Sequence, residues 1–201
     1  MKGSLIILAF FTVGLVGGIY GIFPEWLLNE DLTMYALFVL MFLVGVSIGS
    51  DKGAFYVLRK MNLKVLLVPL LVVVGSLAGT AITSLLLNDI SVQEAMAVGA
   101  GFGYYSLSSI FISEISGQEL GVVALLSNIF REIITLLAVP FLVRYFGKLA
   151  GIASGGATAM DTTLPIIVKF TGKEYGIIAI FSGIILTILV PVLVTVILEF
   201  F

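Results

Sequence analysis

Apolar runs of membrane-spanning length are the feature that most limits how this chain can fold. A transmembrane helix needs about 20 consecutive apolar residues. The runs that meet this length are Ser4–Phe23, Leu32–Ser50, Leu63–Leu87, Leu120–Tyr145 and Tyr175–Phe200. Hydrophobic residues make up 60% of the 201 residues and charged residues only 11%, whereas soluble domains are about one quarter charged. The sequence therefore predicts an all-α integral membrane protein in the lipid bilayer.

The first apolar run resembles a signal peptide in its position. However, it is about as long as a full span, and signal-peptide cores are shorter. Its end at Gly21, Pro24 and Trp26 also lacks the small-x-small pattern of a cleavage site. We therefore expect an uncleaved first transmembrane helix.

Two further apolar stretches are interrupted by glycine. Val92–Ile115 is broken at Gly99–Gly103, and Leu149–Phe170 is broken at Ser154–Gly156. Cytoplasmic loops carry an excess of Lys and Arg, and all loop Lys and Arg residues fall on one side only if both stretches enter the membrane and return. The sequence thus predicts about five transmembrane helices plus two re-entrant, broken-helix hairpins. The N-terminus is then cytoplasmic and the C-terminus lies outside.

An internal similarity points to a repeated unit. The segments Ile129–Pro140 and Ile180–Pro191 match at six of twelve positions without a gap, and each follows a glycine-broken stretch. One hairpin plus one span crosses the membrane once, so its two copies, about 92–146 and 149–201, must have opposite orientation. Such inverted repeats are typical of secondary transporters; chance similarity between apolar segments is the alternative. We expect a single membrane transport domain that covers residues 1–201.

The span Leu120–Tyr145 carries polar residues on one helical face. Their spacing is i, i+3, i+4 and i+7, and they are Asn128, Arg131, Glu132 and Thr135. A charge at the membrane centre costs roughly 3 kcal/mol or more, so this face must contact protein, water or solute. It is either a structural Arg–Glu network or a substrate- or proton-binding site in which Arg131 orients Glu132.

The glycine breaks supply further candidates. Asp161, ahead of Pro165, is either the cap of a half-helix or a cation ligand. Tyr104 and Tyr105 either cover a cation with a ring face or anchor the chain at the interface. Backbone N–H groups freed at the breaks can hold a carboxylate. The candidate substrate- or proton-binding side chains are Glu132, Asp161, Arg131, Asn128, Tyr104, Tyr105, Ser106, Ser108, Thr158 and Thr162, and the candidate backbone sites are Gly101, Gly103, Gly155 and Gly156.

Composition excludes several classes of function. The chain has no Cys and no His, which excludes disulfides, thiol chemistry and ordinary zinc sites. The net charge of −2 gives no basic field for nucleic acid. Without His or Cys no nucleophile–base set is recognisable, so we expect neither an enzyme nor a metal or cofactor site.

Three ordered motifs resemble the lysine exporter family (LysO). They are Gly101-Phe-Gly-Tyr-Tyr-Ser-Leu-Ser108, Asn128-x-x-Arg131-Glu132 and Gly155-Gly-Ala-Thr-Ala-Met-Asp-Thr-Thr-Leu-Pro165, joined by Phe42-Leu-Val-Gly45 in the second span. The resemblance covers essentially the whole chain. It implies export of L-lysine and of toxic lysine analogues across the inner membrane, with dependence on intramembrane carboxylates, of which Glu132 lies in the matching motif.

Physical reasoning fits such a solute without singling it out. Expelling a net +1 solute from a negative interior costs about 2.3 kcal/mol per 100 mV, and exchange for an inward proton would cancel that charge movement. Because His is absent, Glu132 or Asp161 would carry the proton. Another small organic or inorganic cation, or a non-transporting subunit of a split transporter, remains an alternative. Longer family members carry additional N-terminal spans, so we expect a homodimer or a companion membrane subunit.

Overall fold

The computed structural model describes residues 2–24, 63–87 and 89–200, together with the isolated positions 32, 35, 39, 42 and 46. The predicted second span, Leu32–Ser50, and the basic connection at 51–64 lie almost wholly outside these residues. Every regular element in the described part is helical. In chain order the helices are α1 (Lys2–Ile19), α2 (Leu67–Ser84), α3 (Val92–Gly99), α4 (Tyr105–Ser116), α5 (Gln118–Phe146), α6 (Lys148–Gly155), α7 (Leu164–Thr171) and α8 (Lys173–Phe200).

Three of the described helices are long and apolar enough to cross a membrane. They are α2, α5 and α8, with 18, 29 and 28 residues. A short 3₁₀ turn, Leu63–Leu66, precedes α2. These helices confirm the predicted apolar runs at Leu63–Leu87, Leu120–Tyr145 and Tyr175–Phe200 to within a few residues.

The two glycine-broken stretches form two pairs of short helices, as predicted. Residues 100–104 separate α3 from α4, and a segment that includes the 3₁₀ turn Gly156–Met160 separates α6 from α7. Helices α3, α6 and α7 have 8 residues each and α4 has 12. At 1.5 Å per residue they reach about 12 to 18 Å, so none can cross a hydrocarbon core of about 30 Å by itself.

Each pair of short helices begins and ends at the same end of the molecule. Glu94 in the first turn of α3 and Ser116 at the end of α4 line one pocket together with Glu119. At the opposite end, the Lys148 ammonium at the start of α6 lies 5.0 Å from the ring centroid of Tyr175, just after α7 ends. We call α3–α4 the first hairpin and α6–α7 the second hairpin.

The charged residues at or near the termini of α3–α8 separate between these two ends. The end where the first hairpin begins carries carboxylates, and we call it the acidic end: Asp89, Glu94, Glu114, Glu119 and Glu199. The Gln93 side chain donates a hydrogen bond of 2.8 Å to the Ile197 carbonyl, which places the end of α8 there as well. The opposite, basic end carries Arg144, Lys148, Lys169 and Lys173, together with the carboxylate of Glu174.

A capping box fixes the start of the first hairpin at the acidic end. The Glu94 backbone N–H donates to the Ser91 hydroxyl at 3.2 Å, and the Ser91 backbone N–H donates to the Glu94 carboxylate at 2.8 Å. Two orphan N–H groups of the helix start are thereby satisfied. These hydrogen bonds to Ser91 hold the pKa of Glu94 below its ordinary value.

Candidate functional site

The tips of the two hairpins touch each other between the acidic and basic ends. The Ala157 backbone N–H donates a hydrogen bond of 2.9 Å to the carbonyl of Phe102. Gly156 has a φ of +61°, and a Cβ atom there would overlap the Phe102 carbonyl oxygen. A larger residue at 156 would therefore be strained by its backbone and would push the tips apart.

Asn128 of α5 holds the tip of the first hairpin. Its Oδ1 accepts a hydrogen bond of 2.7 Å from the Gly103 N–H, and its Nδ2 donates to the carbonyls of Val98 at 3.2 Å and Ala124 at 2.9 Å. The side chain is 3% exposed. Asn128 thus satisfies the Gly103 N–H, which the break between α3 and α4 leaves without a helical partner, and adds a second donor to the Val98 and Ala124 carbonyls.

Arg131 of α5 holds the second hairpin and joins it to α2. Its Nε donates to the Ser154 carbonyl at 3.1 Å, its Nη2 to the Ala153 carbonyl at 3.1 Å, and its Nη1 to the Ser76 hydroxyl at 3.0 Å. In a continuous helix the Ala153 carbonyl would accept from the N–H of Ala157. That N–H donates to Phe102 instead, so the guanidinium takes its place.

The polar face predicted on α5 is therefore buried against the hairpins. Thr135 lies 2.7 Å, oxygen to oxygen, from the Ser154 hydroxyl. Glu132 is 1% exposed, on the same face as Asn128 and Arg131. Asn128, Arg131 and Thr135 bind the hairpins, so this face has a structural role, although the partners of Arg131 are hairpin carbonyls and the Ser76 hydroxyl; the substrate- or proton-binding alternative for Glu132 stays a prediction.

A second carboxylate lies within electrostatic range of Glu132. Asp161, at the end of the 3₁₀ turn, interacts electrostatically with Glu132 and with the phenol of Tyr104. Its Oδ1 also accepts the N–H of the adjacent Thr162. The N-cap position of α7 is Thr163, without a side-chain capping hydrogen bond, so the prediction that Asp161 caps this helix is wrong. Unlike Glu132, Asp161 is exposed. The described residues contain no group of three or more His, Cys, Asp or Glu side chains placed to hold a metal ion.

Several other predicted site residues make contacts within the protein. Tyr105 is buried in a small apolar cluster with Leu125 and Ile129. Thr158 donates to the Gly155 carbonyl at 2.9 Å. Ser106 is half-buried and Ser108 is fully buried, both in α4.

The backbone N–H groups of the predicted glycine sites also have acceptors. The Gly101 N–H donates to Val98, the Gly103 N–H to Asn128 and the Gly156 N–H to Ile152. In this conformation these three N–H groups stabilise the hairpin tips, so a solute carboxylate would have to displace an existing hydrogen bond to reach them.

Sequence reasoning missed four hydroxyl residues, two that contact Arg131 and two that are buried in α8. Ser76 and Ser154 contact Arg131, and Ser182 and Thr187 are buried in α8. A single hydroxyl in an apolar helix gives little signal by itself. The repeat alignment offered one hint, because Ser182 occupies the position that matches Arg131.

Comparison with known proteins finds lysine exporters. A family model described as "Lysine exporter LysO" matches residues 8–198. The relative named "Lysine exporter LysO" from Escherichia coli is 36% identical over 160 residues, which cover 80% of this chain and 52% of the relative. A protein named "Putative lysine exporter" from Haemophilus influenzae is 33% identical over 181 residues, which cover 87% of this chain and 91% of that relative. The chain thus spans about half of the E. coli relative and most of the other. No solved structure matches the chain.

Proposed function

Because this chain belongs to the lysine exporter LysO family, we propose that it exports L-lysine and lysine analogues across the inner membrane in exchange for protons. One observation carries the proposal. Glu132 is 1% exposed on the face of α5 from which Asn128 and Arg131 bind the two hairpins near their tips. A carboxylate inside a membrane protein is costly and is usually functional.

The proposed topology follows from the separated charges. With the basic end in the cytoplasm, α5 runs outward to inward and α8 runs inward to outward. The first hairpin then enters from outside and the second from the cytoplasm. The units α3–α5 and α6–α8 thereby become inverted repeats whose broken helices meet near the midplane. The N-terminus lies in the cytoplasm and the C-terminus outside.

The chemistry of lysine matches the groups near the tips. Lysine carries a side-chain ammonium, an α-ammonium and a carboxylate. Glu132 and Asp161 can each take one ammonium group as a charge-assisted hydrogen bond, and the Tyr104 ring can flank a cation. Asp161 is exposed and Glu132 is buried, so the two carboxylates would meet the solute in different surroundings.

Proton exchange would use the same carboxylates. When lysine leaves, Glu132 or Asp161 loses the ammonium group that neutralised it. An ionised carboxylate left unpaired inside the protein would be costly. Protonation from outside avoids that cost, and release of the proton inside prepares the carboxylate for the next lysine. One proton inward for one lysine outward moves no net charge through the membrane potential.

The test is efflux from lipid vesicles that contain only this chain. Vesicles loaded with radiolabelled L-lysine should release it when the outside is made more acidic than the inside, so that protons flow inward as lysine flows outward. Glu132→Gln should stay folded, since the amide keeps its shape, but should lose efflux; Glu132→Asp should keep part of it. The matched control is Glu119→Gln at the acidic end, which should transport normally. Near-normal efflux by Glu132→Gln would refute the role of Glu132 and transfer the coupling to Asp161.

A second candidate is a membrane subunit that transports only with a companion or as a homodimer. The chain spans 52% of the E. coli relative and 91% of the H. influenzae relative. Vesicles with the wild-type chain alone would then release no lysine, although the protein is folded. Recovery of efflux on addition of a companion subunit would identify the split form, whereas efflux of other cations in place of lysine would change the assigned solute.

A further inference from the structure

Arg131 is the one basic residue that the sequence places inside a membrane span. The chain has ten Lys and Arg residues, and the other nine lie near the N-terminus, in the predicted basic connection at 51–64 or at the ends of helices. A charge at membrane depth is costly and usually marks a function or a specific partner. The presence of a guanidinium at this depth therefore needs an explanation.

The Arg131 side chain lies against both hairpin tips. A Cβ atom on Gly156 would lie 3.1 Å from Nη2, and one on Gly103 would lie 3.9 Å from Cδ. Three of its N–H groups donate to the Ser76 hydroxyl and to two carbonyls of the second hairpin. A guanidinium has five N–H groups, so two are not used by the described residues. The side chain is half-buried, so the protein does not fully enclose it.

The acceptors of Arg131 carry no negative charge. They are two backbone carbonyls and one hydroxyl, and no described carboxylate forms an ion pair with the guanidinium. A carboxylate bound there would form charge-assisted hydrogen bonds, which are roughly twice as strong as those between neutral groups. Charge separates Arg131 from the buried hydroxyls of Ser108 and Ser182, which also lack partners in the described part of the chain but offer only neutral donors.

The charges of the candidate site match those of a cationic amino acid. Glu132, Asp161 and Arg131 carry two negative charges and one positive charge when ionised. Lysine carries two ammonium groups and one carboxylate, so every charge of the solute has an opposite partner and the complex is neutral. With one proton in place of lysine, the three side chains are neutral as well. A diamine has no carboxylate and would leave the charge of Arg131 unpaired, which is costly inside a membrane protein.

We infer that Arg131 binds the carboxylate of the transported solute and thereby selects amino acids over diamines. The inference rests on the proposed export of lysine and specifies which end of the solute faces the guanidinium. The two ammonium groups are left to Glu132 and Asp161. The solute class is an α-amino acid with a cationic side chain.

The test compares L-lysine with cadaverine, which keeps both ammonium groups but lacks the carboxylate. Both are titrated against the full chain in lipid nanodiscs, and the wild type should bind lysine at least about ten-fold more tightly than cadaverine. Arg131→Gln keeps N–H donors for the hairpin carbonyls but removes the charge. It should bind lysine at least about ten-fold more weakly than the wild type. It should bind cadaverine as tightly as the wild type or more tightly, because a repulsive charge is gone. Arg131→Lys keeps the charge and should retain most of the preference for lysine.

A purely structural role of Arg131 predicts a different pattern. The control Thr135→Val removes a contact with Ser154 of the second hairpin and leaves Arg131 in place, so any loss of affinity should affect lysine and cadaverine equally. Equal weakening of both ligands by Arg131→Gln, or unchanged lysine affinity, would overturn the inference. A wild type that binds cadaverine as tightly as lysine would overturn it without any variant and would leave the proposed export untouched. A wild type that binds neither ligand would instead overturn the proposed function itself.

Discussion

Asn128 offers the sharpest test of how the broken helices are stabilised. The substitution Asn128→Leu keeps a similar side-chain volume but removes three hydrogen bonds. The Val98 carbonyl still accepts from the Gly101 N–H at 3.2 Å, and the Ala124 carbonyl keeps its own helical partner within α5. The Gly103 N–H, however, loses its acceptor in a buried position.

The expected loss of unfolding free energy follows from the one N–H group that is left without an acceptor. One buried, unsatisfied N–H costs about 1–3 kcal/mol, so Asn128→Leu should lower the free energy of unfolding by that amount. Asn128→Asp keeps the acceptor for Gly103 but turns a carboxylate oxygen toward two carbonyls, so it should also destabilise the protein at neutral pH. The control Ser127→Ala, at an exposed position one residue earlier, should stay within about 0.5 kcal/mol of the wild type.

Two measurements check this prediction. Equilibrium unfolding in detergent micelles reports the total loss, and amide hydrogen exchange at the tip of the first hairpin reports its location. In Asn128→Leu, the Gly103 amide should exchange markedly faster, while the amides of α8 should change little. An unchanged unfolding free energy together with a protected Gly103 amide would refute the assignment of Asn128 as the residue that holds this tip.

Three further predictions concern orientation, the tip contact and the start of the first hairpin. Single-cysteine labelling is unambiguous because the chain has no Cys: an impermeant thiol reagent added outside should label Ser116→Cys but not Phe146→Cys, and the reverse pattern would contradict the proposed topology. Gly156→Ala should lower the unfolding free energy by about 1–3 kcal/mol from overlap with the opposite tip, in addition to backbone strain. The control is Gly172→Ala: Gly172 has a φ of +98°, but a Cβ atom there would have no described atom within 4 Å, so this substitution should show backbone strain alone. Equal losses of unfolding free energy in the two variants would argue against the tip contact. The hydrogen bonds with Ser91 lower the pKa of Glu94 from its ordinary value of 4.5, so they stabilise the folded state above pH 4.5 and are lost as the pH falls through the lowered pKa. Amide exchange at the start of α3 should therefore become faster as the pH falls through that range, and Glu94→Gln should remove this pH dependence.

The long helices were predictable because their physical signal is local. An uninterrupted apolar run specifies a spanning helix by length alone, and the observed Gln118–Phe146 and Lys173–Phe200 extend the predicted runs by one or two residues. The helix breaks were equally visible, since clustered glycines at 99–103 and 154–156 disfavour a continuous helix. The first helix, predicted to end at Phe23, ends at Ile19, ahead of Gly21 with its φ of +61°.

The roles of the site residues were harder to predict because they depend on contacts between distant segments. The periodicity of Asn128 and Arg131 indicated a buried polar face, but not that their partners would be backbone groups of two different hairpins. That result depends on where each break leaves a carbonyl or an N–H without a helical partner. Ser76 shows the same limit, since nothing near it in sequence points to a guanidinium 55 positions away.

The contact between the hairpin tips also implies an order in which the chain can be built into the membrane. Backbone groups in lipid must be hydrogen-bonded, yet the Gly103 N–H depends on Asn128 and the Ala153 carbonyl depends on Arg131. Both side chains belong to α5, which leaves the ribosome after the first hairpin and before the second. The first hairpin must therefore stay in a water- or protein-lined environment until α5 has been synthesised. The second hairpin, in contrast, enters when Arg131 of α5 is already present. The contact between the tips consequently cannot form until the second hairpin has been synthesised.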